Sequence, residues 1–223
     1  MSADAIPEPP QPPAPVTVVV AHRRPGDRDA LVRWLSADAR FSVVAAVDQP
    51  DAARRAVGDA HPDVALIDID LVGPPSGIEL IAELRDAHPA TRSVAVADHD
   101  DDRAYAAVRA GAVGCYLWSD PMSPLTAVAA GAARGEGALT PGWAGRLVDE
   151  VGWLNREPSP LRAPELTPTE LEVVRRVASG ASPAAIAALH GVTEHVVNLH
   201  AGIVITKVFR HHYDTRRIGL SAG

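Results

Sequence analysis

Five short runs of β-branched and small apolar residues, each followed by a stretch of helical periodicity, fill the first 134 residues and leave few folds open. The runs are "VTVVVA" (16–21), "FSVVAAV" (41–47), "DVALIDI" (63–69), "SVAVA" (93–97) and "CYLW" (115–118). Between them apolar residues recur at three and four, as with Leu31, Trp34 and Leu35, or Ile78, Leu80, Ile81 and Leu84. Further helical patterns lie near 51–59, 103–110 and 124–134. Strands separated by helix-length crossovers pair in parallel, with helices covering both faces. The expected fold class is therefore α/β doubly wound, flavodoxin-like, with a five-stranded parallel sheet. Functional groups in such a sheet gather at the carboxyl ends of the strands. Pro25-Gly26 reads as a turn after the first strand, and Gly73–Pro75 as a loop after the third.

Beyond residue 134 the alternation stops. Residues 135–164 read as a linker with one helix (Trp143–Trp153) and a proline-rich stretch, "REPSPLRAP". "LTPTELEVVRRVASG" then opens a helix with Thr167 as N-cap, Pro168 at the first position and Glu170 closing a capping box. "SPAAIAALHG" repeats the device with Ser182 and ends at Gly191, and Thr193 caps a third helix, "TEHVVNLHAGIVITKV". Capped helices joined by a short glycine turn are helix-turn-helix organisation. The closing "FRHHYDTRRIGLSAG" has little apolar periodicity. The expected partition is a proline-rich tail (1–15), an α/β domain (16–134), the linker (135–164) and a small all-α domain (165–223).

Composition narrows the function classes. Hydrophobic residues are 47% but aromatics only 4%, so the core is built from Ala, Val, Leu and Ile. A single cysteine, Cys115, excludes an internal disulfide and fits a reducing cytoplasm. No apolar run approaches the ~20 residues of a membrane span, and the N-terminus lacks the pattern of a signal peptide. Residues 1–160 carry a formal charge of −9, while 161–223 carry +2 and five of the nine histidines. An acidic front on a mildly basic tail suits a regulatory domain attached to a nucleic-acid reader. Twenty of the 21 basic residues are arginine; the one lysine is Lys207.

The strings "VTVVVAHRRPGDRDALVRWL", "PDVALIDIDL", "RAGAVGCYLW" and the long helical pattern from "LTPTELEVV" to "IVITKV" resemble the NarL/FixJ class of bacterial response regulators. In that class a receiver domain precedes a LuxR-type helix-turn-helix. The resemblance implies a phosphoacceptor aspartate at the end of the third strand, where Asp68 stands. A carboxylate ending a buried strand at the ligand-binding edge is also where chemistry is expected on physical grounds; the alternative is a loop-capping side chain. The resemblance further implies an acidic pair for Mg²⁺ after the first strand, a hydroxyl ending the fourth and a lysine ending the fifth. Those positions hold His22 and Arg23, Ala97, and Trp118. Phosphoryl transfer relies on cations that neutralise developing charge, so aspartyl phosphorylation is not expected. Arg23 could instead pair permanently with Asp68, or point to solvent. His22 with "DHDDD" (98–102) offers carboxylates and imidazoles to a metal, but acids opening a helix more often complement its dipole. No metal, cofactor or catalytic set is assigned.

For the helical tail, the resemblance implies a DNA-reading helix with Thr193, Glu194, His195, Asn198, Leu199, Gly202 and Lys207 as candidate contacts. Asn can bond adenine and Leu can touch a thymine methyl, yet basic groups for phosphate are few. The expected function is a cytoplasmic, phosphorylation-independent transcriptional regulator that binds promoter DNA as a homodimer or as a heterodimer with a second response regulator. Two alternatives stay open: an interaction module that acts on another regulator without touching DNA, and a regulator responding to a small ligand.

Overall fold

The computed structural model describes residues 14–119, 124–137, 140–154 and 166–220. The tail over 1–13 and the proline-rich part of the linker lie outside them. The chain begins with β1 (Val16–Ala21), α1 (Pro25–Ser36), β2 (Phe41–Val47), α2 (Pro50–Ala60), β3 (Val64–Asp68) and α3 (Gly77–Ala87). There follow β4 (Arg92–Ala97), α4 (Asp102–Ala110), β5 (Gly114–Leu117) and α5 (Leu125–Ala133). The five strands form one parallel sheet in the order β2-β1-β3-β4-β5. Chain order reverses between β1 and β3, so their carboxyl ends flank the switch-point crevice of this topology.

Each sheet face is buried by its own helices. Val18, Val20, Leu66, Val94 and Val96 pack under Leu31 and Leu35 of α1 and Leu125 and Ala129 of α5. Val19, Ala65, Ile67 and Ala95 point the other way, onto Val57, Leu80, Leu84 and Val108 of α2, α3 and α4. Full burial of each such aliphatic side chain contributes about 1.5–3 kcal/mol, which is why β3 reads as an unbroken apolar run. Two local readings change. Pro25 is the first residue of α1 rather than part of a turn, since proline at that position loses no helical hydrogen bond. The α1 stripe is Leu31 and Leu35, one turn apart, and Trp34 lies on its flank, 45% exposed.

Four helices follow among the described residues: α6 (Pro141–Leu154), α7 (Pro168–Ala178), α8 (Pro183–His190) and α9 (Glu194–Leu220). The Thr167–Glu170 capping box and the Ser182 cap are both formed. Gly191 ends α8 at φ +64°, a conformation that glycine adopts without cost. The final segment, weak in apolar periodicity, continues α9 without a break to Leu220. The core of the α3–α4 face runs on without interruption into Trp143, Leu147, Val173, Ile186, Val204 and Val208 of these helices. Among the described residues no helix is long and apolar enough to cross a membrane.

Candidate functional site

Asp68 is the last residue of β3, and only 2% of it is exposed. Gly77 packs α3 directly against the Asp68 carbonyl and the Ile69 backbone, where any side chain would collide. Arg23 follows β1, the neighbouring strand, and meets the Asp68 carboxylate twice. Its Nη1 donates to Oδ1 at 2.7 Å and its backbone N–H to Oδ2 at 3.2 Å. The Asp70 N–H donates to Oδ1 at 2.9 Å. The same Arg23 guanidinium lies 2.9 Å from Asp70 Oδ2 and 3.9 Å from Asp98 Oδ2. One delocalised cation thus sits among three carboxylates from the ends of two strands, β3 and β4, and of the two readings open for Arg23 the pairing with Asp68 is the one present.

The remaining pocket positions surround this clamp. His22 is buried, accepts the Arg24 N–H through Nδ1 at 3.2 Å and lies 3.8 Å from Asp68 Oδ2. Burial lowers its proton affinity by more than the Asp68 charge raises it, so the ring is held neutral. Arg24 turns outward to Asp98 at 2.5 Å and Asp27 at 2.7 Å. Ala97 ends β4 and offers only a methyl side chain; its carbonyl accepts the Trp118 N–H at 3.0 Å. The Trp118 ring stands edge-on to His22, with centroids 6.1 Å apart, and packs 5.5 Å from Tyr116 and from Trp34.

Sequence reasoning missed Asp70 and Arg103 as parts of this site. Arg103, in the first turn of α4, ion-pairs with Asp70 and reaches the Ile69 carbonyl at 3.4 Å. Three of the acids at 98–102 have separate partners, and Asp98 is the one that faces Arg23 and Arg24. Asp101 caps α4 through the Arg103 and Ala104 N–H groups, and Asp102 pairs with Arg146 of α6 at 2.6 Å. Arg146 also lies over the Tyr105 ring at 5.2 Å. A continuous charged path therefore leads from Asp68 through Arg23, Asp70 and Arg103 into α4, which α6 in turn grips.

The candidate DNA-contacting residues of α9 divide into two sets. Thr193 caps the helix by accepting the Val196 N–H at 3.4 Å, and Glu194 is exposed. His195, Asn198 and Gly202 face the segment just after α5 instead. His195 Nδ1 is 2.7 Å from Glu136 Oε1, and the Asn198 carbonyl accepts the Gly137 N–H at 2.9 Å. Leu199 is half-buried. Lys207 is drawn inward, with Nζ 2.8 Å from both oxygens of the buried Glu170. Burial pushes the Glu170 carboxyl up, but its bonds with Lys207 and Thr167 outweigh that and leave it below the usual range. Glu136 behaves likewise: burial raises it, and Arg134 together with His195 lowers it further.

The sheet order, the aspartate at the switch point and the sequence agree on a class. Residues 18–117 match the family model described as the response regulator receiver domain. Over 189 residues the chain is 32% identical to the probable transcriptional regulatory protein NarL of Mycobacterium tuberculosis, covering 84% of this chain and 85% of that one. The solved receiver domain of NarL from the same organism is 31% identical, with a TM-score of 0.52, and covers 55% of this chain and 99% of its own. The response regulator ChrA of a heme-sensing two-component system, at 23% identity and a TM-score of 0.50, extends the likeness of fold to 91% of this chain and 98% of its own. The chain belongs to the NarL-type response regulators. The relatives it matches are transcriptional regulatory and response regulator proteins.

Proposed function

We propose that this protein is a DNA-binding transcriptional regulator whose receiver operates without phosphorylation. The observation that carries the reading is the Arg23 clamp on Asp68. A receiver that accepts phosphate needs a hard divalent cation, which takes oxygen ligands. Here imidazole and guanidinium stand where acids would be needed, and the Arg23 cation already lies against Asp68, Asp70 and Asp98. The set does not fit Mg²⁺. Ala97 and Trp118 supply neither hydroxyl nor ammonium for the phosphoryl oxygens. On this reading Asp68 is a structural anion, and Arg23 holds the receiver in one state rather than two.

The helix-turn-helix of α7–α9 is the DNA reader in this proposal, with Thr193, Asn198 and Leu199 as base-edge contacts. The inward commitment of Lys207 to Glu170 removes a phosphate ligand from a helix that has few, and this favours a dimer in which a better-equipped response regulator supplies the second half-site. The receiver then serves as an assembly surface. One experiment tests the proposal: exposure to acetyl phosphate with Mg²⁺, followed by intact mass and promoter binding. The expected outcome is an unchanged mass and unchanged DNA affinity. A stoichiometric phosphoryl adduct that disappears in Asp68→Ala would overturn it.

A further inference from the structure

Glu136 follows α5 and is only 9% exposed, yet one of its carboxylate oxygens is left over. Arg134 Nε and His195 Nδ1 both meet Oε1, at 2.5 and 2.7 Å. Oε2 has no hydrogen-bond partner among the described residues. It lies over Gly131 of α5, 3.5 Å from where a Cβ on that glycine would stand. Burial raises the Glu136 carboxyl, but Arg134 and His195 outweigh that and keep it ionised. A buried acceptor in this condition costs free energy until a donor reaches it.

The oxygen faces open space. A cavity of about 470 Å³ lies in the seam where α9 meets the segment after α5, and both Gly131 and Glu136 line it. Its other walls are mainly aliphatic, with Val94, Val113, Val128, Val177, Val197 and Ala201. Gly137, also on the wall, crosses Gly202 so closely that a Cβ at Gly137 would stand 2.6 Å from the Gly202 Cα. Two more polar groups line the space. Asn198 gives its main-chain carbonyl to the Gly137 N–H, while its side-chain amide has no partner among the described residues. Glu194 adds a second carboxylate. No arginine, lysine or histidine is among the described lining residues. Apolar walls around a few fixed polar groups, in a space of this size, suit a small organic molecule.

We propose that this cavity binds a small apolar molecule carrying a protonated amine. The ammonium donates to Glu136 Oε2 in a charge-assisted hydrogen bond, and the Asn198 amide offers a second acceptor. The hydrocarbon body lies against the valines. A carboxylate ligand is repelled by Glu136 and Glu194, and a neutral one leaves the Oε2 charge uncompensated. The site rests on the chemistry of its walls and holds whether or not the chain reads DNA.

The test uses the full chain and indole probes of similar size: tryptamine, its alcohol tryptophol, and indoleacetate. Calorimetry should show saturable binding of tryptamine, about tenfold tighter than that of tryptophol, and none of indoleacetate. Bound tryptamine should slow amide exchange in 125–133 and 194–201, the two facing walls. Glu136→Gln removes the charge and keeps the shape. It should bring tryptamine down to the tryptophol level and leave tryptophol unchanged. Val128→Trp fills the space from α5 and should abolish binding of both, with its urea midpoint showing that it folds. No saturable binding of tryptamine, an affinity equal to that of tryptophol, or a preference that survives in Glu136→Gln would overturn the proposal. So would protection spread over the acidic surface, the sign of unspecific attraction to a chain of net charge −7.

Discussion

The strand-end pocket and the α9 seam are held shut by opposite means. In the pocket, a guanidinium joins the buried Asp68 to Asp70 and Asp98, and the contacts between side chains are mainly ionic. In the seam, two glycines bring main chains together, and the hydrogen-bonded pair beside them, Glu136 with a half-exposed His195, stands at the edge. Charge in a low-dielectric site is strong when complete and costly when half removed. Backbone proximity has no charge to lose and tolerates no added atom. The pocket should therefore respond to charge deletion and pH, and the seam to steric bulk.

The largest effect is expected in the pocket. Arg23→Ala leaves Asp68 buried with only main-chain donors and should cost about 2–4 kcal/mol in urea unfolding, somewhat below a fully buried pair because Arg23 is partly exposed. Asp68→Asn in that background should recover part of the loss. Millimolar Mg²⁺ should also stabilise the variant but not the parent, since three carboxylates are left around a hole. An unfolding midpoint that does not move would put Arg23 outside the pocket's energetics and erase the contrast.

A smaller effect separates charge from shape in the seam. Glu136→Gln keeps an acceptor for Arg134 and His195 but removes the ion pair, and pairs with an exposed partner contribute roughly 0.2–1 kcal/mol. Amide exchange across 194–205 should rise less than in Gly137→Ala. If the two variants open the seam equally, charge rather than backbone contact holds α9 down.

The smallest effect is the pH response of His22. Its folded proton affinity is lowered by burial, so as pH falls through about 6.5 the unfolded chain gains a proton that the folded chain refuses. The unfolded state then binds more protons, and stability falls from about pH 6.5 down to the lowered folded value. His22→Asn keeps an acceptor for the Arg24 N–H and removes this component. Urea midpoints between pH 7 and 5.5 should show a flatter slope for the variant; parallel slopes would mean that His22 titrates normally in the fold.

The elements of both regions differ in how readable they were. The five strands follow from β-branched runs buried on two faces, and the caps at Thr167 and Ser182 follow from short side chains whose oxygens reach the free N–H groups of a helix start. The pairing of Arg23 with Asp68 could be inferred because neighbouring parallel strands bring their ends together. Asp70 and Arg103 could not, since they meet across a loop and the first turn of α4, and sequence periodicity carries no register between such pieces. Pro25 misled because proline begins helices as readily as it forms turns. The continuation of α9 past Val208 was hidden because "FRHHYDTRRIGL" has too few apolar residues to show a helical period. Gly202 was visible as an anomaly in its helix, but its reason lies 65 positions upstream in Gly137, and nothing local links the two.

Arg23 also restricts the substitutions open to this domain. An acid at position 23 would place a fourth carboxylate among Asp68, Asp70 and Asp98 with no cation from Arg23 to offset them. A lysine at 118 would insert an ammonium beside the buried ring of His22 and remove an aromatic that packs on three others. Either substitution alone is expected to give a less stable protein. The clamp makes its own position hard to change: whatever the receiver does, folding by itself favours keeping the guanidinium beside Asp68.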